Sequence, residues 1–342
     1  MGLLIGEISF IYGNLNALLQ KINYLVGFKE SMRRFIIRRF VFSLVSIVVA
    51  TMAVFLLSRA NGDPLLLYAT SGYGLTAESE AALRKKLALD RPVPVQYALW
   101  LGRTLKGDMG ETIKDRKPVL RVVLKRLPTT LHLGATAFIL SFVVGIPLGV
   151  LSAVKRGSIW DYLGRFFALL GQAVPQFWLG LVLIMLFAVK WQIFPAGLKG
   201  DGFWDVKFLV LPTITLASGG FAFYMRITRT AMLEVLDSEY VRLARAKGVG
   251  NSKVIWKHAF KNAFIQPLTG MTLGLTYFLT GSVLVETIFA WPGMGQMAIT
   301  AVNNNDFPVL QGVVFFFTIL FVGMTFITDL LYAYIDPRIR YD

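Results

Sequence analysis

Six long stretches of this 342-residue chain contain no Asp, Glu, Lys or Arg, and apolar residues dominate each of them. A hydrocarbon core about 30 Å thick is crossed by roughly 20 apolar residues in a helix. The pattern therefore predicts an all-α polytopic membrane protein with six transmembrane helices. The stretches are residues 40–57, 129–154, 166–189, 208–225, 266–285 and 308–328.

The composition agrees with a membrane protein and excludes several kinds of chemistry. Charged residues make up 16% of the chain, whereas soluble proteins average roughly 25%. The chain has no cysteine, which excludes disulfides and thiolate metal sites. It also has no Gly-x-x-x-x-Gly-Lys-[Ser/Thr] phosphate loop. The two histidines, His132 and His258, are predicted on opposite sides of the membrane. We therefore expect no catalytic site and no cofactor in this chain.

The distribution of lysine and arginine predicts the orientation of the helices. Basic residues cluster just before the first stretch and between the fourth and fifth stretches, whereas residues 291–307 contain none. Because short cytoplasmic loops carry the excess of Lys and Arg, we expect cytoplasmic N- and C-termini. The basic loop after the first stretch must then be external, which is tolerated because loops longer than about 60 residues cross largely regardless of charge.

The sequence divides into five predicted regions. Residues 1–31 form an N-terminal extension. It is either an amphipathic helix on the membrane surface or a segment upstream of a physiological start at Met32. Residues 32–58 form the first transmembrane helix, and 59–128 an external loop with short helices. Residues 129–335 form a five-helix core that includes a cytoplasmic loop, 234–265, and residues 336–342 form a cytoplasmic tail.

The cytoplasmic loop is the most structured connection that the sequence predicts. Asp237 and Ser238 are favourable N-cap residues for a helix that runs to about Lys247. Gly248 and Gly250 end it, because glycine readily adopts the left-handed conformation found at helix C-termini. A second helix is expected from residue 251 or 252 to about 263. The loop thus has the pattern helix–glycine turn–helix.

The first of these helices has a face suited to a partner protein. Tyr240, Leu243, Ala244 and Lys247 share that face. Small alanines beside a tyrosine suit insertion into a groove, and the surrounding basic residues suit an acidic rim. One alternative is an ordinary basic loop that contacts water and anionic lipid. A DNA-binding helix-turn-helix is disfavoured because the flanking spans hold the segment against the bilayer.

Several motifs resemble one protein family. They are residues 240–248 (YVRLARAKG), 258–263 (HAFKNA), 286–295 (ETIFAWPGMG), 306–312 (DFPVLQG), 336–340 (DPRIR), 61–64 (NGDP) and 126–131 (RLPTTL). In this order and combination they are similar to the membrane permease subunit of ABC importers for dipeptides, oligopeptides and nickel. The resemblance extends from about residue 32 to 340 and leaves out residues 1–31.

The resemblance implies the ABC type I importer permease fold in a bacterial or archaeal inner membrane. It also implies a second homologous permease, two ATP-binding subunits that carry ATP and Mg²⁺, and an external substrate-binding protein, with no nucleic acid. The cytoplasmic loop is then the coupling helix, or EAA loop, that docks on an ATPase subunit. The residues so implicated are Glu239, Tyr240, Arg242, Leu243, Ala244, Arg245, Ala246, Lys247, Gly248, Lys253 and His258.

The loop departs from the general pattern of ABC importers at two places. Arg242 stands where a glutamate is common, and Glu239 is the nearest substitute. Phe260 and Lys261 replace the usual Leu-Pro ending. We therefore expect docking to depend on Tyr240, the alanine face and the basic rim rather than on a glutamate salt bridge.

Polar residues within the spans are candidates for a translocation pathway, because charged and polar groups at membrane depth are costly. Gln172 and Gln176 flank Pro175 in the third span, and Glu286 lies near the outer end of the fifth. The alternative is that the glutamines satisfy backbone groups freed by Pro175 and that Glu286 sits in the interface.

Three further residues near the span ends have expected roles. Arg226 and Arg229 lie near the inner end of the fourth span, within reach of lipid headgroups. Trp291 follows the fifth span in a tight external turn. It is expected to be either part of an external gate or an interfacial anchor.

Three classes of function compete at this stage. The first is an ABC importer permease, for peptides or, within the same family, for nickel complexes or oligosaccharides. The second is an ion-coupled secondary transporter, which predicts acidic relays and internal repeats that are not evident here. The third is an intramembrane enzyme, which the missing catalytic residues disfavour.

Overall fold

The computed structural model describes residues 32–60, 65, 80–81, 84–85, 87–200, 202 and 205–335. The predictions for residues 1–31 and 336–342, and for most of 61–86, lie outside these residues. Within the described ranges the chain is predominantly helical, and extended pairing is limited to one isolated antiparallel bridge between Glu111 and Pro118. The all-α prediction is therefore confirmed for this part of the chain.

Eleven helices are named here in chain order. They are α1 (Met32–Ala60), α2 (Val93–Leu105), α3 (Val119–Val154), α4 (Ile159–Ala173), α5 (Gln176–Leu183, continued by a π-helix Ile184–Lys190), α6 (Val206–Leu236), α7 (Glu239–Ala246), α8 (Asn251–Lys253, continued by a π-helix Val254–Phe260 and by Lys261–Ala263), α9 (Ile265–Ile288), α10 (Met294–Asn303) and α11 (Phe307–Ile335).

Four of the described helices are long and apolar enough to cross a membrane, and α4 with α5 makes a fifth if the pair forms one span. The four are α1, α3, α6 and α11. Helix α9 covers the fifth predicted stretch and has 24 residues. It is not among those counted, and several of its side chains are not described. The structure thus shows a multi-pass helical protein, whereas the number six remains a prediction.

The third predicted span is broken, contrary to the single helix expected over residues 166–189. Helices α4 and α5 meet at an angle of 106°. Pro175 lacks a backbone N–H, and its ring disfavours the helical conformation at the preceding residue. Val174 accordingly has an extended backbone, with φ −80° and ψ 122°. Pro175 therefore separates two helices and does not merely kink one continuous helix.

Helices α3 and α6 form the centre of the larger of two compact units, which comprises Ser43–Thr328. Glycines on α3 allow their backbones to approach closely. A Cβ atom on Gly149 would lie 2.6 Å from the carbonyl oxygen of Met225, and one on Gly145 would lie 2.9 Å from Cβ of Tyr224. Substitution at either position would push the two helices apart.

The smaller unit combines Met1–Phe42 with Asp329–Asp342, of which residues 32–42 and 329–335 are described. Here Arg39 of α1 binds Asp329 of α11 with both branches of its guanidinium. Its Nη2 donates to Oδ1 at 2.6 Å, and its Nε donates to Oδ2. This pair holds the start of the first long helix beside the end of the last.

Candidate functional site

The loop between α6 and α9 folds as the sequence predicts. Helix α7 begins after Ser238, and Gly248 follows its end with a positive φ of 74°. The N–H of Gly248 donates to the carbonyl of Arg245 at 2.9 Å, and that of Val249 to Ala244 at 3.2 Å, which satisfies the last carbonyls of α7. The hydroxyl of Ser238, however, donates to the carbonyl of Val235 and does not cap the helix. We call α7, the turn and α8 the coupling module.

The inner face of the coupling module is a small apolar core. Val241 and Ala244 of α7 pack with Val254 of α8, and all three are buried. Ala244 is only 8% exposed, so it does not belong to the outward face on which the sequence placed it. Residues 241 and 244 are one turn apart, and Val254 covers the stripe that they form.

Three large apolar side chains of the coupling module are exposed. Tyr240, Leu243 and Trp256 are 44%, 56% and 53% exposed. Trp256 was not predicted as a site residue, although a tryptophan between basic residues of a loop is a usable signal. The other exposed residues of the predicted set are Glu239, Arg242, Arg245, Ala246, Lys247, Gly248 and Lys253, whereas His258 is half-buried.

The glutamate of the module is already engaged within α7. Arg242 Nη1 donates to Oε1 of Glu239 at 2.9 Å, and both side chains are well exposed. An exposed pair three residues apart on a helix contributes a few tenths of a kcal/mol. The exposed apolar side chains Tyr240, Leu243 and Trp256 therefore remain the distinctive feature of the module's surface.

The coupling module also packs against the ends of the long helices. Ala259 and Ala263 of α8 are buried with Val150 and Ala153 of α3 and Met232 of α6. Alanines at this contact let the helices approach closely. The module is therefore in direct contact with α3 and α6.

A buried ion pair lies close to this contact. Asp161 of α4 is 1% exposed and accepts from Arg229 of α6, with Nε at 2.8 Å and Nη2 at 3.1 Å. The hydroxyl of Ser152 on α3 also donates to Asp161, at 2.6 Å, and so does the N–H of Gly157, at 3.0 Å. The cluster joins α3, α4 and α6.

Asp161 was not among the predicted site residues, and Arg229 was expected near lipid headgroups, which the structure corrects. Arg229 points inward because it neutralises a carboxylate that burial would otherwise strongly destabilise. An isolated acid just before an apolar stretch was the available signal. Its partner is 68 residues away in sequence, which local spacing does not reveal.

The two glutamines predicted for the pathway both lie at the break between α4 and α5. Gln172 accepts a hydrogen bond from Arg226 of α6. Gln176 donates to the hydroxyl of Tyr277 on α9 at 2.7 Å and more weakly to the carbonyl of Leu216 at 3.5 Å. Both hydrogen-bonded side-chain pairs lie at the exposed surface of this chain.

Glu286 lies apart from these glutamines. It is fully buried, and its Oε2 accepts from the N–H groups of Gly295 at 2.7 Å and Gln296 at 3.1 Å. A Cβ on Gly293 would lie 2.3 Å from the carboxyl carbon of Glu286. The carboxylate therefore holds the turn that follows α9, which differs from the predicted role of facing a pathway.

Trp291 is also buried, with 1% of its surface exposed. Its Nε1 donates to the carbonyl of Thr129 at 3.1 Å, and the N–H of the nearby Met294 donates to Thr130 Oγ1 at 2.7 Å. This placement differs from an interfacial anchor, because the indole contacts protein on all sides. Trp291 instead fixes the turn to the first half of α3.

Comparison with known proteins decides the family. Residues 145–341 match the family model described as the binding-protein-dependent transport system inner membrane component. Residues 32–134 match the model of the N-terminal part of such membrane components. The chain belongs to this family of transport permeases.

Known permeases are similar over nearly the whole chain. The dipeptide transport system permease protein DppB of Escherichia coli K12 is 36% identical over 338 residues, covering 91% of this chain and 99% of DppB. A protein of Brucella abortus named as a peptide transport system permease is 38% identical over 303 residues, covering 87% and 96%.

A solved structure shares the fold. A chain of the MetNI methionine ABC transporter, in an inward-facing conformation, matches with a TM-score of 0.53 and 19% identity. The match covers 64% of this permease and 97% of that chain. This match shows the fold alone, while the family model and the relatives identify the chain as a multi-pass, non-catalytic membrane component of the ABC importer class.

Proposed function

We propose that this permease forms half of the translocation pathway of an ATP-driven importer of peptides. The names of its relatives describe dipeptide and peptide transport. The proposed assembly contains a second homologous permease, two ATP-binding subunits and an external substrate-binding protein. ATP and Mg²⁺ are bound by the ATP-binding subunits, and this chain carries no catalytic residue.

The proposed topology has six spans in a bacterial or archaeal inner membrane, with both termini in the cytoplasm. The broken pair α4–α5 counts as one span and α9 as another. The ion pair between Arg39 and Asp329 supports this arrangement, since it holds the start of α1 beside the end of α11. An even number of spans places those two ends on the same side of the membrane.

The coupling module is the proposed contact with the ATP-binding subunits. The observation that carries the proposal is the exposure of Tyr240, Leu243 and Trp256 on a surface rich in arginine and lysine. Large apolar side chains grouped among polar ones mark protein interfaces, and aromatic residues supply much of their binding energy. Arg242, Arg245, Lys247 and Lys253 form the polar rim.

The inner face of the module gives this contact its effect. Gly248 and Ala244 hold α7 against α8, and α8 is packed on the ends of α3 and α6. A displacement of the docked surface therefore moves those two helices. The pathway surface at the α4–α5 break, with Gln172 and Gln176, packs against α6 as well.

Co-purification with the ATP-binding subunits tests the proposal. The variant Leu243→Glu places a charge on the apolar surface, and Leu105→Glu is the matched control on the exposed end of α2. We expect the first to lose about tenfold or more of the bound ATPase and of vanadate-sensitive uptake, since interface hot spots contribute about 2 kcal/mol or more. The control retains both.

Two results would contradict the proposal. Full retention of ATPase and coupled uptake by Leu243→Glu would remove the coupling module from the interface. Uptake by the chain alone, driven by a proton gradient, would replace the importer with a secondary transporter.

A further inference from the structure

Two arginines one turn apart on α6 have different electrostatic settings. Arg229 forms a buried bidentate pair with Asp161, which neutralises its charge. Arg226 is exposed and binds the neutral amide oxygen of Gln172. Within the described part of the chain, no carboxylate forms an ion pair with Arg226. It therefore keeps a full positive charge.

This charge directly follows the uncharged apolar stretch 208–225, at the inner end of the span. Helix α6 continues for about 15 Å beyond Arg226 to Leu236, at a rise of 1.5 Å per residue. A guanidinium next to the hydrocarbon core is costly if it faces lipid, and charged residues in spans usually line pathways or cavities. Arg226 is held by Gln172 at the α4–α5 break, which is the surface proposed above to line the pathway.

Further polar groups lie along the same side of α6. Gly219 precedes Arg226 by two helical turns, which corresponds to about 10 Å. A Cβ on Gly219 would lie 2.9 Å from the hydroxyl of Tyr277, so the hydrogen-bonded pair of Gln176 and Tyr277 rests on the α6 backbone there. We call this side of α6, from Gly219 to Arg226, the polar strip. One end carries the Arg226 guanidinium, and the other carries the Gln176 amide and the Tyr277 hydroxyl.

The structure assigns this strip to solute binding: we propose that Arg226 binds a carboxylate of the transported solute. Arg226 is oriented by Gln172, while Gln176 and Tyr277 contact uncharged polar groups of the same solute. Planar guanidinium groups bind carboxylates through two parallel hydrogen bonds. The distance of about 10 Å equals about three extended residues of a peptide.

This inference rests on the proposed function, because it takes the exposed side of α6 to be the pathway wall. The occupant is a solute carboxylate, such as the C-terminus of a peptide. A carboxylate of the second permease would also neutralise Arg226, and the experiment separates these two possibilities.

The experiment uses the complete importer in proteoliposomes, with ATP inside and the loaded binding protein outside. A peptide of uncharged residues is supplied with a free C-terminus or as its C-terminal amide. Each peptide is supplied at a concentration that saturates the binding protein, and a separate binding measurement verifies the saturation. The permease variants are Arg226→Gln, Arg226→Lys and the surface control Arg156→Gln, whose side chain is 68% exposed.

We expect the wild type to transport the free acid about tenfold faster than the amide, the effect of one charge-assisted hydrogen bond. Arg226→Gln lowers uptake of the acid to the rate of the amide and leaves the amide unchanged. Uptake of the acid by Arg226→Lys falls between that of the wild type and that of Arg226→Gln, because lysine keeps the charge but lacks the planar guanidinium. The control matches the wild type with both peptides.

Other results overturn the assignment. If Arg226→Gln lowered the uptake of both peptides equally, or if the second permease were lost on purification, Arg226 would act in assembly. Unchanged uptake of both peptides by Arg226→Gln removes it from the pathway. Absence of ATP-dependent uptake in the wild-type importer would instead overturn the proposed function itself, together with this inference.

Discussion

Two buried carboxylates in this permease are held by different kinds of partner. Asp161 is 1% exposed and is neutralised by an arginine on another helix. Glu286 is fully buried and accepts from the backbone of the turn that follows its own helix. Ser152 hydrogen-bonds Asp161 and Thr130 hydrogen-bonds Glu286. Ser152 and Thr130 lie 22 positions apart on α3, so the two sites are separated by about 33 Å.

The difference indicates two mechanical roles. The Asp161 cluster joins α3, α4 and α6 through side chains, and any rotation of one helix must break or remake these bonds. The Glu286 cluster fixes the shape of the turn that follows α9, through the backbone of Gly295 and Gln296, and ties that turn to Thr130 of α3. The first cluster lies beside the coupling module, where the proposed docking of an ATP-binding subunit would introduce motion. The second lies at the far end of α3.

The largest expected effect follows from removing the arginine of the first cluster. Arg229→Met removes the arginine that is hydrogen-bonded to the buried Asp161 carboxylate and leaves only Arg165, whose Nε is 3.5 Å away, so it should lower the free energy of unfolding in detergent by up to about 3–5 kcal/mol. The double variant Asp161→Asn/Arg229→Met should recover much of that loss, because the buried charge is gone. Equal destabilisation of the single and double variants would show that Asp161 carries no buried charge.

A smaller effect is expected at Glu286. Glu286→Ala removes two hydrogen bonds from the turn and should cost about 2–3 kcal/mol. Glu286→Gln keeps an oxygen that accepts from Gly295 and Gln296, and should cost less. Hydrogen exchange of residues 291–296 measures the effect. Faster exchange spread evenly over α3 and α6 would contradict the role of Glu286 in holding this turn.

The smallest effects come from the hydroxyl groups of the two clusters. Ser152→Ala and Thr130→Val each remove one hydrogen-bonding side chain and should lower stability by about 1 kcal/mol. The variants should nevertheless differ in function. Ser152→Ala is expected to change the number of ATP molecules hydrolysed per solute, and Thr130→Val to leave that ratio unchanged. An identical coupling ratio in both variants would remove the functional distinction between the clusters.

Much of the helical architecture was predictable because it depends on local signals. The length of the apolar stretches without charged residues located α1, α3, α6 and α11, and Gly248 marked the end of α7. Pro175 was visible, but whether a helix kinks or breaks at a proline depends on its neighbours. The 106° bend was therefore not predicted.

The candidate site was harder to predict because it depends on distant partners. Helix α7 has two adjacent stripes, and only the contact of Val254 with Ala244 decides that the stripe of Tyr240 and Leu243 faces outward. Likewise, the pairing of Asp161 with Arg229 connects two helices that the sequence leaves unrelated. Burial of Trp291 depends on Thr129 in the same way.

Site-directed cross-linking tests whether the coupling module docks on an ATP-binding subunit, and single labels can be placed because the chain contains no native cysteine. Single cysteines at Leu243 and at Ala244, labelled with a photoreactive maleimide in the assembled importer, report the two faces of α7. We expect L243C to cross-link to an ATP-binding subunit, whereas the buried A244C gives no such product. A product from A244C without one from L243C, or none from either in an active importer, would contradict this docking.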